Sequence, residues 1–213
     1  MPDLPISGLP AANLPLDGTE LFATVQGGIT KYSTLGNIKY ISGNNYGLFN
    51  QTGPSTPVTN TTTETSLLDG GVGTLSVPAN GFNIGDAFHA VAIGHISSVN
   101  NHTLEIRIKS NGAVLADTGL ISMATTTAKH WKLEVYFTIN NIGTAGVASI
   151  STGGTFMYVK DASNAFEGAN FSDENSTTFN TTIGNTLVIT AQWGQANTGD
   201  SIYSDIFTLT KTY

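Results

Sequence analysis

An all-β fold, an antiparallel jelly-roll sandwich preceded by a short extended hairpin segment, is predicted by three features of the 213-residue sequence. No window of a dozen residues sustains apolar spacing of three and four, because Gly, Asn, Thr and β-branched residues interrupt each candidate helix. Runs of alternating apolar and polar residues recur along most of the chain. The junctions between them carry Asn, Asp and Gly, where tight turns need positive φ.

The first element is short. Residues 21–34, LFATVQGGITKYST, divide into two strand-like halves joined through Gly27 and Gly28, a hairpin signal. An isolated hairpin is marginal in water, so this segment is expected to order against a partner surface. Residues 46–64 follow as a Thr, Pro and Asn-rich passage with Pro54 and Pro57. It suits either a flexible linker or an extended edge strand, since Pro is tolerated only at sheet edges. The domain boundary is placed near residue 45, giving an N-terminal segment 1–45 and a head domain 46–213.

Weak strand patterns occupy 65–71 and 73–78. Strong ones follow at 86–97, 102–110, 113–121, 131–140, 146–160, 185–193 and 201–213. About eight or nine strands over this length fit two packed sheets. In residues 131–140, Trp131, Leu133, Val135, Phe137 and Ile139 share one face, with Lys132, Glu134 and Thr138 on the other. Leu104, Ile106 and Ile108 likewise oppose Glu105, Arg107 and Lys109.

Two strands depart from this pattern. Residues 86–97 place Phe88, Ala90, Ala92 and Ile96 on one side and His89, Val91, Ile93 and His95 on the other, so both sides are largely apolar. The last strand sets Ile202, Ile206, Thr208 and Thr210 against Tyr203, Phe207 and Leu209. An antiparallel sheet in a monomer usually leaves one face to water. A second copy of the chain is therefore expected over this sheet, with Phe88, His89, Val91, Ile93, His95, Tyr203 and Phe207 as candidate contacts; coverage by long loops of the same chain is the alternative.

Charged residues make up 11% of the chain, and 15 acids against 8 scattered bases give a net charge of −7. No basic patch forms, which argues against nucleic-acid binding. No run reaches 18 apolar residues, and the N-terminus has neither a basic stretch nor an apolar core of a signal peptide. No membrane insertion or secretion signal is expected. With no Cys, disulfides and thiolate metal sites are excluded.

Catalytic and metal motifs are equally sparse. There is no Gly-x-Ser-x-Gly elbow and no HExxH. His89 and His95 point the same way on one strand but stand roughly 20 Å apart at strand rise, too far to share a metal. A His meeting its own copies on a symmetry axis is the one metal arrangement left open. Asp173, Glu174 and Asn175 offer oxygen ligands without the ordered spacing of a Ca²⁺ loop, and are expected to form a solvated turn. The Asn-x-Ser/Thr triplets at Asn50, Asn60, Asn101, Asn170, Asn175 and Asn180 follow from composition. The expectation is a non-enzyme with no cofactor.

One stretch carries a resemblance. Residues 6–38, ISGLPAANLPLDGTELFATVQGGITKYSTLGNI, follow the pattern ISxLPxA, LDGTELFxxVQ and GxTxKxTLxxI through Ile6, Ser7, Leu9, Pro10, Ala11, Leu16, Asp17, Gly18, Thr19, Glu20, Leu21, Val25, Gln26, Gly28, Thr30, Thr34, Leu35 and Ile38. This resembles the N-terminal segments of tailed-bacteriophage and related virion proteins; Tyr32 is a minor departure. The resemblance implies a segment that seats a surface module on a particle, contacting other virion proteins chiefly through Leu16, Asp17, Gly18, Thr19, Glu20, Leu21, Val25, Gln26 and Gly28. The remainder is similar in architecture alone to the trimeric jelly-roll heads of viral fibres and tumour-necrosis-factor-like proteins.

Together these resemblances imply a homotrimeric fibre, spike or decoration protein on the virion surface that contacts a host glycan or protein. A lectin-type carbohydrate-binding module is the alternative, with a polysaccharide depolymerase behind it. Loops 97–103, 122–130, 161–176 and 194–200 are the candidate ligand contacts, because binding residues concentrate on loops over rigid scaffolds.

Overall fold

Alternation of apolar and polar residues builds the described residues of this protein from strands alone. The computed structural model describes residues 21–34 and 46–212. The chain divides into two compact units, Met1–Asn44 and Asn45–Tyr213.

In the first unit, strands β1 (Leu21–Gln26) and β2 (Ile29–Thr34) pair antiparallel from Leu21 opposite Thr34 to Gln26 opposite Ile29. The connection is the two-residue turn Gly27–Gly28, at φ of 62° and 77°. Positive φ at both central positions is what a type I′ hairpin turn requires, and Gly supplies it without a Cβ clash. Of the segment singled out by its resemblance, Leu21, Val25 and Gln26 lie in β1 and Gly28 in the turn. Leu16, Asp17, Gly18, Thr19 and Glu20 lie outside the described residues.

The second unit is an all-β sandwich of antiparallel sheets, consistent with a jelly-roll-type fold. Its strands are β3 (Tyr46–Gln51), β4 (Val58–Thr59), β5 (Thr65–Ser66), β6 (Gly71–Gly73), β7 (Ser76–Val77), β8 (Ala87–Ser98), β9 (Thr103–Ser110) and β10 (Ala113–Asp117). They continue with β11 (Ile121–Ser122), β12 (Thr126–Asn141), β13 (Ser149–Val159), β14 (Phe166–Asn175), β15 (Asn185–Trp193) and β16 (Ser201–Lys211). The large sheet runs β14-β13-β12-β8-β16-β3-β6, with β4 also on β16; the small one runs β10-β9-β15-β5, with β11 on β9 and β7 on β15.

The inner faces meet in one core. Trp131, Leu133, Val135, Phe137 and Ile139 of β12, with Ala90, Ala92 and Ile96 of β8, belong to the same buried cluster as Leu104, Ile106 and Ile108 of β9 and Ile189, Ala191 and Trp193 of β15. A large apolar side chain taken fully out of water contributes about 1.5–3 kcal/mol, so this cluster is the main source of stability. The two indoles are satisfied as well as buried. Trp131 Nε1 donates to the carbonyls of His95 and Tyr203, and Trp193 Nε1 to that of Val58.

Three sequence expectations are revised or settled. Residues 46–64, for which a linker and an extended strand are both open on sequence, contribute strands to the sandwich: β3 and β4 both pair with β16, and Gln51 and Ser55 bond the fully buried Ser204 through the Gln51 Nε2 and Ser55 Oγ contacts. The span 161–176 is mostly strand, because β14 pairs with β13 from Val159 opposite Phe166 to Ile150 opposite Asn175. Asp173 and Glu174 therefore sit on an extended strand, and only the Asn175 side chain organises a turn, its Oδ1 accepting from the amides of Thr177, Thr178 and Phe179.

The third revision concerns β16. A bulge between Ser204 and Ile206 opposite β8 adds one residue and reverses the alternation beyond it. Ile202, Ser204, Phe207 and Leu209 all point inward, while Ile206 is 49% exposed. Phe207 thus packs in the core, its ring 6.0 Å from that of Phe49. Phe88 is also inside, edge-on to Phe82 at 6.0 Å. Neither phenylalanine is on the outer face where a second copy was expected.

The sandwich has two distinct ends. The chain enters it beside Lys211, which pairs with both Tyr46 and Phe88, so residue 46 and the C-terminus share one end, here called proximal. Loops 78–86, 142–148 and 176–184 lie there, tied by Asn80 N–H to Thr181 O, Thr181 N–H to Gly143 O and Gly85 N–H to Ile139 O. Loops 99–102, 123–125, 160–165 and 194–200 lie at the other, distal end.

Candidate functional site

Strand pitch places every second residue of β8, β12 and β16 on the outer face of the large sheet. Register then sets them in rows across the three strands. Tyr136, His89 and Thr210 form one row, Glu134, Val91 and Thr208 the next, then Lys132, Ile93 and Ile206, and last His130, His95 and Tyr203. Of the seven expected contact residues, His89, Val91, Ile93, His95 and Tyr203 are brought together on this face.

Each end of the face carries a histidine held by a carboxylate. His89 Nε2 is 2.9 Å from Glu134 Oε1, and the His89 ring stacks on Tyr136 with centroids 4.5 Å apart. Tyr136 O–H and Lys132 Nζ also donate to Glu134, at 2.9 and 2.7 Å. These donors, Lys132 first, then Tyr136 and His89, hold the Glu134 carboxyl down at about 2. The same hydrogen bond to the carboxylate raises the Tyr136 phenol.

At the other end, His95 Nδ1 is 2.6 Å from Asp205 Oδ2. The His95 ring lies between those of Tyr203, stacked at 5.5 Å, and His130, tilted at 4.6 Å. Between the two ends, Val91 and Ile93 are half-buried and Ile206 is exposed. Asp205 is the residue that the bulge of β16 adds, which is why alternation alone did not bring it beside His95.

The outer face of the small sheet is different. Glu64 accepts from Thr190 Oγ1 at 2.6 Å and Lys109 Nζ at 2.9 Å, and Arg107 bridges Glu64, Glu105 and Gln192. The Glu64 carboxyl is lowered, by the Thr190 hydroxyl first and then by Lys109 and Arg107 against the effect of burial. This network balances its own charge and leaves no single group aimed at a ligand.

The distal loops are knitted to one another. Asn101 N–H donates to Met123 O, Asp161 N–H to Thr125 O, and Gly194 N–H to Thr103 O. His102 Nδ1 meets Asp200 Oδ2, whose other oxygen accepts from Val99 N–H. Asn100, Asn101, Thr125, Asn164, Gln195 and Thr198 are exposed around them, together with Ala162, Ala165 and Ala196. At the proximal end Ile84, Ile142, Val147 and Ile183 are exposed instead, between 43% and 63%. Loop grouping of this kind follows from strand order, which one sequence does not display.

Among the described residues, no group of three or more His, Cys, Asp or Glu could hold a metal ion. Among the same residues, no helix is long and apolar enough to cross a membrane. No family model matches the chain, and no curated protein matches it at a significant level.

Proposed function

We propose that this is a non-enzymatic virion surface protein, a homotrimer whose N-terminal segment seats it on the particle and whose β-sandwich head contacts the host. The observation that carries the reading is the ordered run of residues 6–38, from Ile6 and Ser7 through Leu16, Asp17, Gly18 and Thr19 to Ile38, which resembles bacteriophage attachment segments. The distal end of the head supports it: four interlocked loops there expose Asn100, Asn101, Asn164 and Gln195. Binding surfaces are favoured where loops sit on a rigid frame.

Trimeric assembly would give weak host contacts avidity. Antibodies against residues 46–213 should label intact particles. Labelling confined to unassembled protein would remove the surface assignment. Sedimentation of the full chain should give three copies, and a monomer or dimer would remove the trimer.

A carbohydrate ligand is the second reading. The distal Asn100, Asn101, Asn164 and Gln195 side chains offer amide donors and acceptors suited to sugar hydroxyls. Glycan-array binding that is lost on substituting these residues would favour it. Shortening of an oligosaccharide on incubation with the purified chain would point instead to a depolymerase.

A further inference from the structure

From the geometry of the outer sheet face we infer that His95 and His130 form a two-imidazole site for a late first-row divalent transition ion, Cu²⁺ above all. The site is separate from the distal loops and does not depend on the virion reading. Three observations converge on it.

First, the two histidines face each other. His95 of β8 and His130 of β12 are direct cross-strand partners, and their ring centroids are 4.6 Å apart at an interplanar angle of 53°. A metal at about 2.0–2.1 Å from one nitrogen of each ring sets the ring centres about 4.5 Å apart for a right-angled pair and about 5.2 Å for a tetrahedral one. The observed separation lies within the span that one ion bound to both rings needs, and Cu²⁺ stands highest in the affinity order for nitrogen ligands.

Second, His95 is prepared as a ligand. Asp205 Oδ2, 2.6 Å from Nδ1, is an acceptor, so Nδ1 carries the proton and Nε2 of the neutral ring presents its lone pair. A carboxylate behind a ligating imidazole is the usual outer partner of a metal-bound histidine. The bulge of β16 supplies this carboxylate. Tyr203 stacks on His95, and the carbonyls of both residues accept from Trp131 Nε1, which fixes the backbone beneath the pair.

Third, the site is open. His130 is exposed and the His95 side chain keeps 32% of its surface. With two protein ligands, water would complete the coordination, in keeping with the lack of any larger ligand group among the described residues.

The test is titration of the full chain with Cu²⁺, followed by calorimetry and by electron paramagnetic resonance. One ion should bind per chain, with two nitrogens in its equatorial plane. H130A, a change at an exposed position, should weaken binding at least about tenfold, and D205N by about tenfold through loss of the outer partner. H89A should leave the affinity unchanged, because His89 is engaged with Glu134 at the far end of the face. Absence of saturable binding, equal affinity in H130A, or an equal loss in H89A would each overturn the site.

Discussion

His102 Nδ1 lies 2.6 Å from Oδ2 of Asp200, a residue with no exposed surface, and this contact joins the loop after β8 to the loop before β16. Asp200 Oδ1 accepts from Val99 N–H at 2.9 Å, and its carbonyl accepts from Thr59 Oγ1 at 2.6 Å. One buried carboxylate therefore holds much of the distal end. D200A would strand the Val99 amide and the His102 imidazole, and leaving a buried donor unsatisfied costs about 1–3 kcal/mol. Urea denaturation should show that loss as a lowered midpoint. An unchanged midpoint would mean that the distal loops are held by other contacts.

Gly94 allows β8 and the bulged β16 to approach. A Cβ built on Gly94 would meet the Tyr203 carbonyl oxygen at 1.9 Å and Ser204 Cα at 2.7 Å, both backbone atoms that cannot swing away. Overpacking of this kind costs about 1–3 kcal/mol or more. G94A should therefore lower the melting temperature clearly. G184A is the control, since a Cβ there meets nothing within 4 Å and the backbone has no positive φ. It should be neutral or stabilising by up to about 1 kcal/mol. Equal effects of the two substitutions would show that the close approach at Gly94 is not tight.

How much of this was legible in the sequence depended on whether the signal was local. The inward faces of Trp131 to Ile139 and Leu104 to Ile108 followed from alternation, and the β1–β2 hairpin from two adjacent glycines. The bulge at Asp205 is not legible, because one added residue reverses alternation without marking itself; Phe207 consequently lies on the face opposite to the one alternation predicts, and Asp205 comes beside His95. Strand β14 was hidden too. Its residues alternate between half-buried and exposed, and Gly168, Asp173 and Asn175 resemble loop composition. Pairing with β13 overrides that weak local preference. The grouping of loops into two ends rests on long-range pairing, which no short window contains.

Tyr158 predicts a response to alkali. It is fully buried on β13, its hydroxyl accepting from Ala124 N–H and donating to Glu167 Oε2, each at 2.8 Å. Burial first, with Glu167 adding to it against the Ala124 amide, raises the phenol from 10.0 to about 12. The folded state thus favours the neutral phenol. That contribution is fully present below pH 10 and is lost as pH rises through about 12. Y158F should cost about 1–3 kcal/mol at neutral pH by orphaning the Ala124 amide. It should also flatten the alkaline fall in melting temperature. Parallel pH profiles for the two proteins would exclude this role for the hydroxyl.

Glu134 predicts the opposite slope in acid. Its carboxylate accepts from Lys132, Tyr136 and His89, which hold it at about 2 against an ordinary value of 4.5. A carboxyl lowered by folding stabilises the native state above its unfolded pKa, and loses that contribution as pH falls through the folded one. The window here runs from pH 4.5 down to about 2. Because the group is partly exposed, the effect should be modest and reduced by salt. E134Q keeps the side chain's size but cannot ionise. Its melting temperature should sit below that of the unsubstituted protein at pH 7, and the gap should close as pH approaches 2. A gap that stays constant across that range would show that the three donors do not act through the carboxylate charge.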